Sequence, residues 1–254
     1  MIKKLTQIFL TTCILMFNLK AFGHLNNEAE YYISQMLEKK APYTVQILDY
    51  KFVIKSSNVY SPDDGFTDFF YNYLSQNNLI KDKVIAEVYS SCLPIMIMTA
   101  KSGAKEAIGY DSNPYAVESA QQNIINHSVA NKAMILNGKN LAEAFAAYKG
   151  KVDVLFTNLP WDSIPQDEFD NIAADRKWIS NYFYDPDNKH VTSILTDGGK
   201  LLSKNGKIYI PATDRILSRI AKVCKKTNKN YKIVAKDQYK NGNMHYIVEI
   251  TAAK

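Results

Sequence analysis

Short apolar runs broken by single charges alternate along the chain with segments whose apolar residues recur every three or four positions. Val84-Ile85-Ala86 and Val88 flank one acid, Glu87. That is the pattern of a parallel strand buried on both faces, with the acid at its carboxyl end. Tyr89-Ser90-Ser91-Cys92 follows as a small polar turn, and Pro94 stands where the first turn of a helix tolerates a missing amide. Residues 95–100 read as an apolar helix face closed by Gly103. Residues 106–110 form a second strand that delivers Asp111 at its tip. Strand, turn, helix and strand in such close succession make a right-handed crossover. It sets Glu87 and Asp111 at the carboxyl ends of adjacent parallel strands, where open α/β sheets bind ligands.

The same alternation continues downstream. Residues 114–126 begin with Pro114 and put Val117, Ala120 and Ile124 on one face of a helix. Strands are expected at 132–136, 152–157 and 207–210, with helices at 190–202 and 213–225. Asn241-Gly242 predicts a hairpin between strands at 231–236 and 244–251. Upstream, residues 24–40 form a charged amphipathic helix, and 43–48 and 51–55 alternate around Asp49-Tyr50 as a hairpin. Residues 162–186 have no clear period and read as a polar-aromatic insert.

Composition adds a leader. Lys3 and Lys4 precede an uncharged stretch, 5–19, and Ala21-Phe22-Gly23 follows with small residues where a signal peptidase reads. The expected organisation is a signal peptide at 1–23, a helix-and-hairpin extension at 24–58 and the main domain at 59–254. Cleavage implies an exported protein, periplasmic or secreted, with no stable membrane span; without it the chain is cytoplasmic or membrane-anchored. The leader carries Lys3, Lys4 and Lys20 and no acids, so its loss takes the net charge from +6 to +3. Basicity of that size does not argue for a nucleic-acid partner. The histidines and cysteines show no metal-ligand spacing, so no metal is expected.

Residues 83–111 resemble the class I S-adenosylmethionine-dependent methyltransferases. In that family the first strand ends in an acid before a glycine-rich turn, and the second ends in an acid that holds the ribose hydroxyls. Glu87 and Asp111 match these positions, with Ser112 beside the second. The family's turn glycines fall on Tyr89, Ser91 and Leu93. Glycines serve there because a ligand lies against bare backbone and some positions need dihedrals other residues avoid. Side chains at these places are expected to narrow or fill the cofactor pocket. The third strand ends Asn137-Gly138-Lys139-Asn140, where the family commonly shows an Asp that accepts from the adenine amine. Lys139 cannot accept that bond, which leaves Asn140 or a backbone group to substitute. The run from Val59 to Thr67, with Tyr60 and Pro62, resembles a motif that closes over the cofactor, with Thr67 near its methionine end. The resemblance covers about 59–254 and implies an α/β fold: a Rossmann-like, seven-stranded, mostly parallel sheet with helices on both faces and an antiparallel last strand.

Asn158-Leu159-Pro160-Trp161, at the end of the fourth strand, resembles the Asn-Pro-Pro-aromatic motif of methyltransferases that act on glutamine amides and base amines. Such nitrogens have delocalised lone pairs and are poor nucleophiles. An Asn oxygen and the next carbonyl can each accept one N–H, building negative character on the nitrogen and aiming it. The resemblance gives Asn158, with the Leu159 carbonyl, the acceptor-holding role, Pro160 the turn and Trp161 a stacking face. The expected activity is methyl transfer from S-adenosylmethionine to a planar nitrogen of a protein or nucleic acid. The alternative is an exported, catalytically inactive binding module of the same fold.

Overall fold

The computed structural model describes residues 25–63, 65–238, 242 and 244–252. The leader pattern, its cleavage point and Asn241 lie outside the described residues. Helix α1 (Asn27–Glu38) starts where the Asn26 side chain accepts the Glu28 amide at 2.8 Å. Strands β1 (Tyr43–Ile47) and β2 (Tyr50–Ile54) pair antiparallel as a separate hairpin. Helix α2 (Phe66–Gln76) then leads into the main sheet.

That sheet comprises β3 (Val84–Val88), β4 (Glu106–Tyr110), β5 (Ala133–Leu136), β6 (Val152–Thr157), β7 (Leu202–Ala212), β8 (Lys229–Gln238) and β9 (Met244–Ala252). Its order is β5-β4-β3-β6-β7-β9-β8, parallel from β5 to β7 and antiparallel around β9. This is the α/β, Rossmann-like, mostly parallel arrangement with an antiparallel last strand that the sequence predicts. In register, Glu87 pairs with Gly109 and Phe156, and Val88 with Tyr110 and Thr157. The next residues, Asp111 and Asn158, therefore leave the sheet beside the end of β3.

Helices α3 (Pro94–Lys101) and α4 (Pro114–Asn126) cover one face together with α2 and the hairpin. Ile85, Ala107, Val154 and Phe156 point into that layer. Alternate residues Ala86, Val88, Ile108 and Leu155 point to the other face, where α8 (Lys189–Thr196) and α9 (Asp214–Lys226) lie; short α5 (Leu141–Ala144) packs at its β5 edge. Asn123 on α4 docks the hairpin: its amide exchanges bonds with the Val53 N–H (2.8 Å) and carbonyl (2.9 Å) and reaches the Cys92 carbonyl at 3.1 Å.

Two elements differ from the expected ones. The helix at 190–202 ends at Thr196, because Gly198 and Gly199 follow, and β7 starts at Leu202. The insert carries two short helices, α6 (Gln166–Asp170) and α7 (Lys177–Ser180). With α1 it forms a third apolar cluster containing Ala29, Ile33, Tyr60, Ile179, Phe183 and Tyr184.

Gly109 lets β4 lie close beneath the turn that follows β3. A Cβ there would meet Leu93 Cδ1 at 2.1 Å and Ser90 Oγ at 2.7 Å. Gly109→Ala is expected to destabilise the fold by roughly 1–3 kcal/mol, read as a lower urea midpoint with an unchanged denaturant slope.

Candidate active site

The turn after β3 carries the geometry of a glycine-rich loop on other side chains. Tyr89 (φ 62°), Ser91 (φ 51°) and Leu93 (φ 71°) are all left-handed. Each costs about 1–2 kcal/mol relative to an ordinary conformation. Four hydrogen bonds hold the turn. The Tyr89 and Ser90 amides both donate to the Tyr110 carbonyl (2.7 and 3.2 Å), the Ser91 amide donates to Asp111 Oδ2 (3.0 Å), and Ser91 Oγ donates to the Tyr60 carbonyl (2.7 Å). The expectation that all three side chains enter the cofactor pocket is corrected at Leu93. Its side chain is fully buried in the α2–α4 layer against Gly109, whereas Tyr89 and Ser91 line the cleft.

The cleft lies at the carboxyl ends of β3 and β6, and Thr67, Glu87, Tyr89, Ser91, Asn158 and Trp161 are among its lining residues. Thr67 reaches it from the first turn of α2. Burial, with Asp111 nearby, raises Glu87 well above the usual carboxylate range. Its Oε2 has no hydrogen-bond partner. Asp111 is only 2% exposed, and burial pushes it up to about 6 against the amides of Asn113 and Ser91 and the Tyr182 hydroxyl. Its Oδ1 accepts the Asn113 amide at 2.9 Å.

Asn158 is exposed at the cleft, while Leu159 and Pro160 are buried behind it. Arg219 on α9 donates to the Pro160 carbonyl, to Asn188 (3.2 Å) and to the fully buried Asp185 (2.8 Å). The same Asp185 receives the His190 amide at 2.8 Å. One guanidinium thus ties the loop after β6, the end of the insert and the start of α8. Trp161 is half-buried, edge-on to Tyr32 (5.2 Å) and Phe183 (4.9 Å). Ser112 and Asn140 do not line the cleft; the Asn140 side chain caps α5 by accepting the Glu143 amide at 2.9 Å.

Sequence reasoning did not assign Asn113, Tyr182, Asp185 or Arg219. Asn113-Pro114 is a readable N-cap signature, and Asn113 does accept the Tyr115 amide at 3.0 Å. Tyr182, inside the aperiodic insert, sent no comparable signal. Among the described residues no group of three or more His, Cys, Asp or Glu is placed to hold a metal, and no helix is long and apolar enough to cross a membrane.

Residues 72–166 match a family model described as ribosomal protein L11 methyltransferase. A Methanocaldococcus jannaschii protein, provisionally named a protein N5-glutamine methyltransferase, is 30% identical over 122 residues, 43% of this chain and 57% of the relative. The chain thus spans little more than half of that relative's length. Two solved structures share the fold. The M. jannaschii tRNA m1G37 methyltransferase superposes with a TM-score of 0.55 at 15% identity, over 85% of this chain and 58% of its own. A Pyrococcus horikoshii protein described as an RNA methyltransferase superposes with a TM-score of 0.51 at 12% identity, over 90% of this chain and 98% of its own.

The raised acids have a stability signature. A carboxyl whose folded pKa is raised binds protons more tightly folded than unfolded, so its contribution is lost as pH rises. For Asp111 the window runs from its ordinary 3.8 to about 6; Glu87 acts in the same direction above 4.5. Glu87→Gln cannot ionise. It is expected to raise the urea midpoint at neutral pH and to flatten the fall in stability above the ordinary glutamate range, in denaturation curves compared with wild type across that range.

Proposed function

We propose that this chain is a class I S-adenosylmethionine-dependent methyltransferase that transfers a methyl group to a planar nitrogen, with a protein side-chain amide as the favoured acceptor. The observation that carries this reading is the convergence of Glu87 and Asn158 on one cleft at adjacent strand ends, beside Asp111. The residues fit the cofactor. Glu87 Oε2 is an unpaired buried acceptor on the cleft wall, and the β3 turn keeps the backbone contour of a glycine loop.

When bound, S-adenosylmethionine supplies a methyl on a sulfonium sulfur. Asp111 would hold the ribose, and Glu87, Ser91 and Thr67 would line the rest of the cofactor's bed. Asn158 Oδ1 and the Leu159 carbonyl would accept the acceptor's N–H groups and aim the nitrogen. Positioning of that kind can lower a transfer barrier by several kcal/mol, at most about 7–11. Arg219, through the Pro160 carbonyl, keeps the loop from drifting.

Charge around the cleft favours a neutral acceptor over a polyanion. Arg215 pairs with Glu28 and Asp162, Arg176 with Glu30, and Arg219 with Asp185. Lys222, Lys225 and Lys226 sit at the other end of α9, about 1.5 Å per residue away from Arg215. Among the described residues, these pairings leave a nucleic acid little free positive charge to neutralise beside the cleft. The inactive alternative gains no support, because the family model and the M. jannaschii relative are both methyltransferases by name.

Titration calorimetry with S-adenosylmethionine is expected to show binding that Asp111→Ala removes. A screen of peptides and RNAs with methyl-labelled cofactor then follows, and RNA labelling without peptide labelling would reverse the acceptor preference. Asn158→Ala is expected to abolish transfer while cofactor affinity stays nearly intact; joint loss of both would remove Asn158 from the acceptor role.

A further inference from the structure

We propose that Tyr182 is a built-in occupant of the ribose position, so that the insert closes the cofactor cleft and its ring must leave Asp111 before a nucleoside is seated. The proposal rests on the methyltransferase reading of Asp111. It goes beyond that reading by assigning a gate to a residue outside the β3 and β4 strand ends.

Three observations carry it. The Tyr182 hydroxyl donates to Asp111 Oδ2 at 3.3 Å, and the same oxygen accepts the Ser91 amide at 3.0 Å. Oδ1 is taken by the Asn113 amide, so both carboxylate oxygens are engaged by the protein's own donors. Next, Tyr182 lines the cleft and Asp111 does not. The cleft has a volume of about 50 Å³, room for a few waters and well below the 300–1,000 Å³ common for ligand pockets. Finally, the ring is held in place. It packs on Tyr60 at 5.8 Å, and Asn113 Nδ2 donates to its hydroxyl at 3.3 Å.

The insert is pinched at its base, which keeps Tyr182 close to Asp111. The Asp162 amide donates to the Phe183 carbonyl at 2.9 Å, and the Asp185 amide returns to the Asp162 carbonyl at 2.8 Å. Tyr182 stands just inside this neck. A rotation of one side chain can therefore clear the carboxylate while the neck stays closed. A ribose hydroxyl arriving at Asp111 replaces the bond it displaces, and the cost of opening the gate appears as weakened affinity.

The test is titration calorimetry of wild type, Tyr182→Phe and Asp111→Ala with S-adenosylhomocysteine. Phenylalanine keeps the ring packing and removes only the hydroxyl, and thermal melting verifies that the variant is folded. Tyr182→Phe is expected to tighten binding about tenfold, the equivalent of one hydrogen bond to a charged group, or to create binding where wild type shows none. Equal or weaker affinity in a folded Tyr182→Phe, beside a wild type that binds, overturns the gate and leaves the methyltransferase reading standing. Absence of binding by both proteins overturns the cofactor reading and the gate with it.

Discussion

The packing of Leu93 against the bare backbone of Gly109 is the constraint on which the site depends. It fixes a left-handed residue at the start of α3, and two further left-handed residues, Tyr89 and Ser91, follow from the path the chain must take to reach it. Strain of this kind persists only where surrounding contacts over-determine it. Here those contacts are a buried leucine, two amides on the Tyr110 carbonyl and one on Asp111. The loop keeps its contour without its usual glycines because core packing supplies the restraint. Ser91, in turn, links the strand ends to the segment at Tyr60 through its hydroxyl.

From that turn the rest of the site is a matter of register. Parallel pairing of β3 with β4 and β6 sets two acids and one amide side by side, and burial then raises both acids. Asp111 is compensated by donors on each oxygen, whereas Glu87 keeps one oxygen unsatisfied. A buried polar atom without a partner is costly in a folded chain. Such an atom on a cleft wall is where a ligand's donor gains most. On the β6 side a single buried Arg219–Asp185 pair holds the Asn158–Trp161 loop, since it spans three elements.

Most of the sheet and the three principal polar groups were legible because buried strands write themselves as apolar runs, and the residue after each run falls at the carboxyl edge. The direction of Leu93 was not, because a turn's backbone handedness decides which way a side chain points, and sequence gives no register there. Asn140 illustrates a competing use: a short polar residue before Leu141 caps a helix as readily as it binds a ligand. The helix expected to 202 stopped at Thr196, where two glycines outweighed the apolar period. Tyr182 and the insert were opaque because their contacts are tertiary, with partners some seventy residues away at Asp111 and Asn113.

The cap over the cleft joins segments made far apart in time. Glu30 on α1 is gripped by Arg176 and by the Tyr184 hydroxyl, at separations of 146 and 154 residues. As the chain is synthesised, α1 therefore exposes Ala29, Ile33 and Met36 until the insert has followed it. Local pairs such as the β1–β2 hairpin and the β3–β4 crossover can close long before then. The first helix of the described residues is thus among the last to find its partner, because Arg176 and Tyr184 are made well after most of the parallel sheet.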